Sequence, residues 1–300
     1  CAVGTLAKDP TPEQVESGDE ASFTVDLTVT VPEDYLETAP DNPDGAGTLG
    51  SGFEIDGNLM SDDAATLDWG SPDLDLINVL DAPLADLSPG YFTDDAFTDG
   101  AKENDTVPTV LDASVPPNKS DLTNFLIAQD EVNGNGFLAL GWIRANSLGT
   151  ANFDFELNQN SALTANGVTP QRTDGDVLIG FDFESSGNVV LLTLREWNDE
   201  RSRWGDPRSL NIEGTGYAAI NDALRFGTIE NGELNPFSNE LIPDQSFGEA
   251  LINLTQTFQG NCRKFVAAYV KGRSSTPFTA ALKDFIAPFP VQIDTCRTIG

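Results

Sequence analysis

Apolar and polar residues alternate without a break over Phe23-Thr-Val25-Asp-Leu27-Thr-Val29-Thr-Val31. A period of two puts Phe23, Val25, Leu27, Val29 and Val31 on one face, so the spacing predicts a half-buried strand within about residues 19–31. Gly18-Asp19 before it and Pro32 after it are turn signals. Residues 32–52 then lose all periodicity and carry Pro32, Pro40, Pro43, Gly45, Gly47, Gly50 and Gly52, the composition of a linker. Residues 1–52 thus read as a strand on a tether, and residues 53–300 as the main domain. A tethered strand can fold back on its own body or add to a sheet edge of another copy.

Residues 53–120 are acidic and turn-rich, with short apolar pieces such as Ile77-Asn-Val79-Leu80. From Leu122 the pattern tightens. Leu122–Gln129 predicts a strand, Asn133-Gly134-Asn135-Gly136 a hairpin turn, and Phe137–Arg144 a central strand with Trp142 in the core. In Ala151–Asn158, Phe153, Phe155 and Leu157 share one face, and Asp154, Glu156 and Asn158 the other. Asp176–Glu184 and Val189–Trp197 predict a further strand pair. Phe247–Leu254 reads as a helix turn or a strand, and Cys262–Arg273 as either; residues 286–296 alternate again. Many short strands between turn signals predict an all-β, jelly-roll-like β-sandwich preceded by a detachable N-terminal strand.

Composition narrows what such a fold could do. The chain has 300 residues, 16 Lys plus Arg, 48 Asp plus Glu and no His, for a net charge of −32. Nucleic acid is excluded as a partner, because phosphate recognition needs clustered cations. Without His, the usual Ser-His-Asp and Cys-His machinery and His-ligated transition metals are excluded too. Paired carboxylates could in principle serve a glycosidase, but so many acids supply pairs by chance; the expectation is that the protein is not an enzyme. No apolar run is long enough to span a membrane. Net charge is −23 over residues 1–120, −13 over 121–254 and +4 over 255–300. The basic end, with Lys264, Lys271, Arg273 and Lys283, either pairs locally or docks the acidic front of a neighbouring copy.

Hard oxygen donors make calcium the expected metal. Three places offer them: Asp56 and Asn58 around the Gly57 turn, Glu103 and Asp105 in a polar loop, and Asp154 and Glu156 on one strand face. Trp197, Arg201 and Trp204 mix aromatic and charged groups in one loop and form the candidate glycan or partner surface. A Cys262–Cys296 disulfide would close a loop of about 35 residues and contribute roughly 3–4 kcal/mol, against the alternative of three free thiols. Cys1 is left over, as a lipid-anchored terminus, an inter-subunit disulfide or an accident of where the chain starts.

Several strings resemble a known family. Phe53-Glu-Ile55-Asp56-Gly57-Asn58 with Asp62, Asp63, Asp68 and Trp69 is similar to the opening of DOMON-like and carbohydrate-binding sandwiches. Gly100-Ala-Lys102-Glu103-Asn-Asp105, Val115-Pro-Pro-Asn-Lys119-Ser-Asp121-Leu, Gly141-Trp-Ile-Arg144, Leu148–Gln159 and Lys271-Gly-Arg273-Ser-Ser-Thr-Pro-Phe278-Thr resemble a large extracellular module of bacterial surface proteins that often precedes prealbumin-like or immunoglobulin-like repeats. The resemblance covers roughly residues 53–296. It implies a secreted, cell-surface protein with a structural or adhesive role. The resulting expectation is a self-assembling surface or filament subunit whose partners are copies of itself through residues 23–31; the alternative is a monomeric carbohydrate-binding or adhesion module.

Overall fold

The computed structural model describes residues 51–59, 66–71, 74–81, 94–114, 116–117, 119–145, 149–183, 190–212, 214–221, 225–226, 241–243 and 245–295. The strand expected at 19–31, its linker, Cys1 and Cys296 lie outside the described residues. The described residues belong to a unit spanning Asn42–Gly300.

In chain order the elements are β1 (Ile77–Leu80), β2 (Asp94–Phe97), β3 (Val110–Ser114), β4 (Leu122–Val132), β5 (Asn135–Arg144), β6 (Ala151–Asn158), β7 (Val177–Phe183), β8 (Val190–Asn198), β9 (Arg203–Trp204), β10 (Arg208–Ser209), β11 (Gly216–Ile220), β12 (Arg225–Phe226), β13 (Leu241–Ile242), β14 (Phe247–Asn253), α1 (Leu254–Phe258), β15 (Lys264–Arg273) and β16 (Leu282–Asp294). They build two antiparallel sheets. One runs β1-β4-β5-β14-β11; the other runs β10-β8-β7-β6-β15-β16-β2-β3 with β9 beside β8, while β12 and β13 pair apart. The expected all-β sandwich is the observed fold.

Local chemistry sets the strand ends. Asn133 and Gly134 both adopt positive φ (53° and 76°), and Val132 pairs with Asn135. This is the two-residue turn whose twist matches that of the strands it joins. The ambiguous Phe247–Leu254 stretch is a strand as far as Asn253, whose side chain then accepts from the Gln256 N–H and caps the single turn of α1. The equally ambiguous 262–273 stretch is β15, the central strand between β6 and β16. Burial on both faces erased the alternation that would have marked it as a strand.

The inner faces meet in one apolar core. Phe125, Ile127, Leu140 and Trp142 from the five-stranded sheet pack with Phe153, Phe155, Phe181 and Val270 from the nine-stranded one. Trp142, as expected, is fully buried; it lies 4.4 Å from Phe153 and 5.5 Å from Phe181, centroid to centroid. Gly248 makes room for it, since a Cβ there would sit 2.4 Å from Trp142 Cζ2.

The outer face of the five-stranded sheet is buried as well. Phe53, Ile55, Leu59 and Trp69, from the turn-rich segment before β1, cover Leu126, Ala139 and Leu251 in a second apolar cluster. Gly57 lets this cover close down. Its φ of +86° is in the left-handed region, and a Cβ would lie 2.5 Å from the Ile220 carbonyl oxygen.

Candidate functional site

Alternation in β6 decides where its charges go. With Phe153, Phe155 and Leu157 turned into the core, Asp154, Glu156 and Asn158 project from the opposite face of the nine-stranded sheet. Lys271 and Arg273 project beside them from β15, whose residues 267–272 pair with β6 in register. Loops cover this face, so all five side chains are buried.

The result is a set of internal ion pairs. Lys271 Nζ donates to Glu156 Oε2 at 2.7 Å and also to Glu103. Arg172 holds Glu156 through two bonds, 2.9 Å from Nε to Oε1 and 3.0 Å from Nη2 to Oε2. Its Nη1 donates to the Glu103 and Asp105 carbonyl oxygens, each at 3.0 Å. Arg273 pairs with Asp154 and, at 2.6 Å, with Asp182. Arg172 also lies over two indoles, 4.8 Å from Trp197 and 5.0 Å from Trp204. The Trp204 Nε1 donates to the Glu103 carbonyl at 3.0 Å.

Glu103, Asp154 and Glu156, expected to face calcium, meet the protein's own cations. Two of the three proposed places do converge, but they converge on an ammonium and two guanidinium groups, whose charges fill the role assigned to a metal. Asp105 stays on the exposed loop and accepts from the Lys102 N–H at 2.8 Å. Asp56 and Asn58 bond to each other: the Asn58 N–H donates to Asp56 Oδ1 at 2.9 Å and its amide to Oδ2 at 2.6 Å. Beside them, Glu249 from β14 accepts from the Asp56 and Gly57 N–H groups and, at 2.7 Å, from the Trp69 indole. Of the basic C-terminal residues, Lys271 and Arg273 pair within the fold, and exposed Lys264 lies 3.4 Å from Asp294.

The indoles expected on the aromatic surface are buried. Trp197 and Trp204 are each only 4% exposed and stand edge to face 5.3 Å apart. Their faces are taken by Arg172, so they offer no open stacking platform. Arg201 is exposed on the turn between β8 and β9. A cleft of about 260 Å³ beside this turn is lined by Thr106, Arg172, Trp197, Asp199 and Ser202 among others. A second, of about 200 Å³, lies over Asp154, Asp182, Arg195 and Arg273. Both fall below the usual size of a small-molecule site. Cys262 is exposed, and its expected partner Cys296 is outside the described residues.

One further clamp was not expected. Arg144, at the end of β5, is 1% exposed and donates to carbonyl oxygens rather than carboxylates: Gln245 at 2.8 Å, Lys119 at 2.9 Å and Gly149 at 3.2 Å. It ties three loops to one strand end. Burial lowers its pKa to about 10.

Burial also shapes the response to pH. Burial raises the Asp182 carboxyl to about 6 and Glu103 to about 7, in each case against a cation's pull. Burial likewise pushes up Asp68 and Glu249, each reinforced by neighbouring carboxylates. A carboxyl with a raised folded-state pKa favours folding below its unfolded value, and that contribution disappears as pH climbs through the folded one. Glu156 runs the other way, because Arg172 and Lys271 overcome its burial and hold it well down; its stabilisation is present above about pH 4.5 and lost on further acidification. Stability in EDTA is therefore expected to rise as pH falls from about 7 to about 5 and to decline below about 4. Urea midpoints across that range check this, and a midpoint that climbs towards pH 7 contradicts it.

No protein-family model, curated protein or solved structure matches this chain. Fold and site together define an antiparallel β-sandwich whose clustered charges hold its own loops in place.

Proposed function

We propose that the protein is an extracellular structural subunit that assembles with copies of itself by adding the strand at residues 23–31 to a sheet edge. The observation that carries this reading is the outer strand β1. Among the described residues it pairs with β4 alone, and it leaves Ile77 36% and Leu80 58% exposed. Unpaired backbone beside exposed apolar side chains is a template for a further strand. The alternating 23–31 segment supplies both backbone groups and an apolar face, and burying each of its large side chains would contribute on the order of 1.5–3 kcal/mol. Resemblance to bacterial surface modules supports the location. On this reading Cys262–Cys296 braces the C-terminal end, and Cys1 is a lipid anchor or an inter-subunit disulfide.

Deleting residues 1–32 is expected to leave a folded monomer that no longer polymerises. Negative-stain microscopy and size-exclusion chromatography read this out, with non-reducing gels reporting Cys1. Polymers formed by the truncated protein, or a full-length protein that stays monomeric, would refute strand addition.

A monomeric glycan-binding or adhesion module is the second reading. The cleft beside Trp197 favours it, with Thr106, Asp199 and Ser202 as polar contacts. A glycan array comparing the protein with Asp199→Ala decides it: a glycan signal that the substitution removes supports this reading, and a blank array rejects it.

A further inference from the structure

Lys271, Arg172 and Arg273 neutralise the buried carboxylates of β6; a different acidic group lies at another corner of the fold. Asp81 directly follows β1, Asp94 opens β2 and Asp284 lies in β16. One carboxylate oxygen from each comes within 4.8 Å of the others. Asp284 is fully buried. Its Oδ2 accepts from the Leu122 N–H at 2.6 Å, while its Oδ1 is buried without a hydrogen-bond partner. Asp81 and Asp94 are half-buried, which leaves a way in from solvent.

The charges acting on Asp94, Asp121 and Asp284, among the described residues, come from carboxylates, and Asp94 shares a side-chain hydrogen bond with Asp81. Asp81 and Asp94 bear on Asp284, Asp95 on Asp94, and Asp94 on Asp121. Elsewhere on the same sheet Asp154 has Arg273, and Glu156 has Lys271 and Arg172. A fully buried Asp284 whose Oδ1 is orphaned and which faces two further carboxylates is a costly arrangement unless a positive charge enters it.

We infer that Asp81, Asp94 and Asp284 hold a calcium ion, with the unpartnered Asp284 Oδ1 as its innermost ligand. Three carboxylates can supply up to six oxygens, and backbone or water oxygens complete the six to eight that calcium takes. Calcium fits better than magnesium, which demands a stricter octahedron and gives up its waters reluctantly. The position gives the ion a structural task. Asp81 continues the five-stranded sheet, Asp94 and Asp284 belong to the nine-stranded sheet, and Leu122 N–H at the start of β4 already reaches Asp284. Bound calcium therefore pins the two sheets together at one corner. This site is independent of how copies assemble and lies apart from the places where the sequence suggested calcium.

The test is thermal unfolding of the full chain in EDTA, in CaCl2 and in MgCl2 at matched ionic strength, with calcium binding followed by titration calorimetry. Calcium a hundredfold above its Kd is expected to raise Tm by about 5 °C or more, with a smaller shift in magnesium. Asp105→Asn, on an exposed loop, should keep the calcium shift and the binding isotherm. Asp94→Asn and Asp284→Asn should lose both, and Asp284→Asn should melt higher than the unaltered protein in EDTA because a buried charge is gone. If Asp284→Asn does not fold, the half-buried Asp94→Asn decides alone. A calcium shift that survives in Asp94→Asn, or no shift in the unaltered protein, overturns the site.

Discussion

Lys271→Met is expected to destabilise the protein by about 3–5 kcal/mol, the usual consequence of removing one partner from a buried ion pair. Lys271 is wholly buried and serves Glu103 and Glu156 together. Without it, two buried carboxylates share Arg172, which is itself committed to Glu156 and to two backbone carbonyls. Methionine keeps most of the volume, so the loss is electrostatic. Adding Glu103→Gln should recover part of it, because one of the stranded charges is then removed; Glu156→Gln should recover less, since it also breaks the bidentate Arg172 pair. Urea denaturation of the single and double variants measures this. A loss under about 1 kcal/mol for Lys271→Met would show that the network contributes little beyond filling space.

Trp142→Ala is the second large effect, again about 3–5 kcal/mol. Here the term is packing. The indole fills the contact between the sheets against Phe153 and Phe181, and the backbone at Gly248 is shaped around it. Its Nε1 is buried without a hydrogen-bond partner, so Trp142→Phe, which deletes that group with less volume, should cost much less than alanine. Equal losses for the two substitutions would argue against a cavity as the cause.

The sequence shows some of these features plainly and hides others, for physical reasons. Hairpin β4–β5 and strand β6 are legible because a turn with two positive-φ residues and a clean period of two are local properties. Strand β15 is ambiguous because both its faces are buried, which removes the polar half of the pattern. Its Lys271 and Arg273 still carry a signal: cations two residues apart, matching carboxylates two residues apart in β6. Reading those two patterns together would have found the pairing of Asp154 and Glu156 with Arg273 and Lys271; Glu103 comes from a loop and is brought to Lys271 only by packing. Trp197 and Trp204 mislead because exposure of an aromatic loop depends on what lies over it, here Arg172 from a segment 25 residues earlier. Asp81, Asp94 and Asp284 share no spacing at all; only the packing of one sheet on the other brings them together.

The interior location of Arg144, Arg172, Lys271 and Arg273 has an outward consequence. Four of the 16 basic residues are withdrawn from contact with anything beyond the molecule. Their fields are absorbed by inner carboxylates and carbonyls, so the net charge of −32 falls more heavily on the shell that an approaching body meets. Two such shells repel over a Debye length, and dissolved electrolyte then acts as a throttle on any encounter between neighbours.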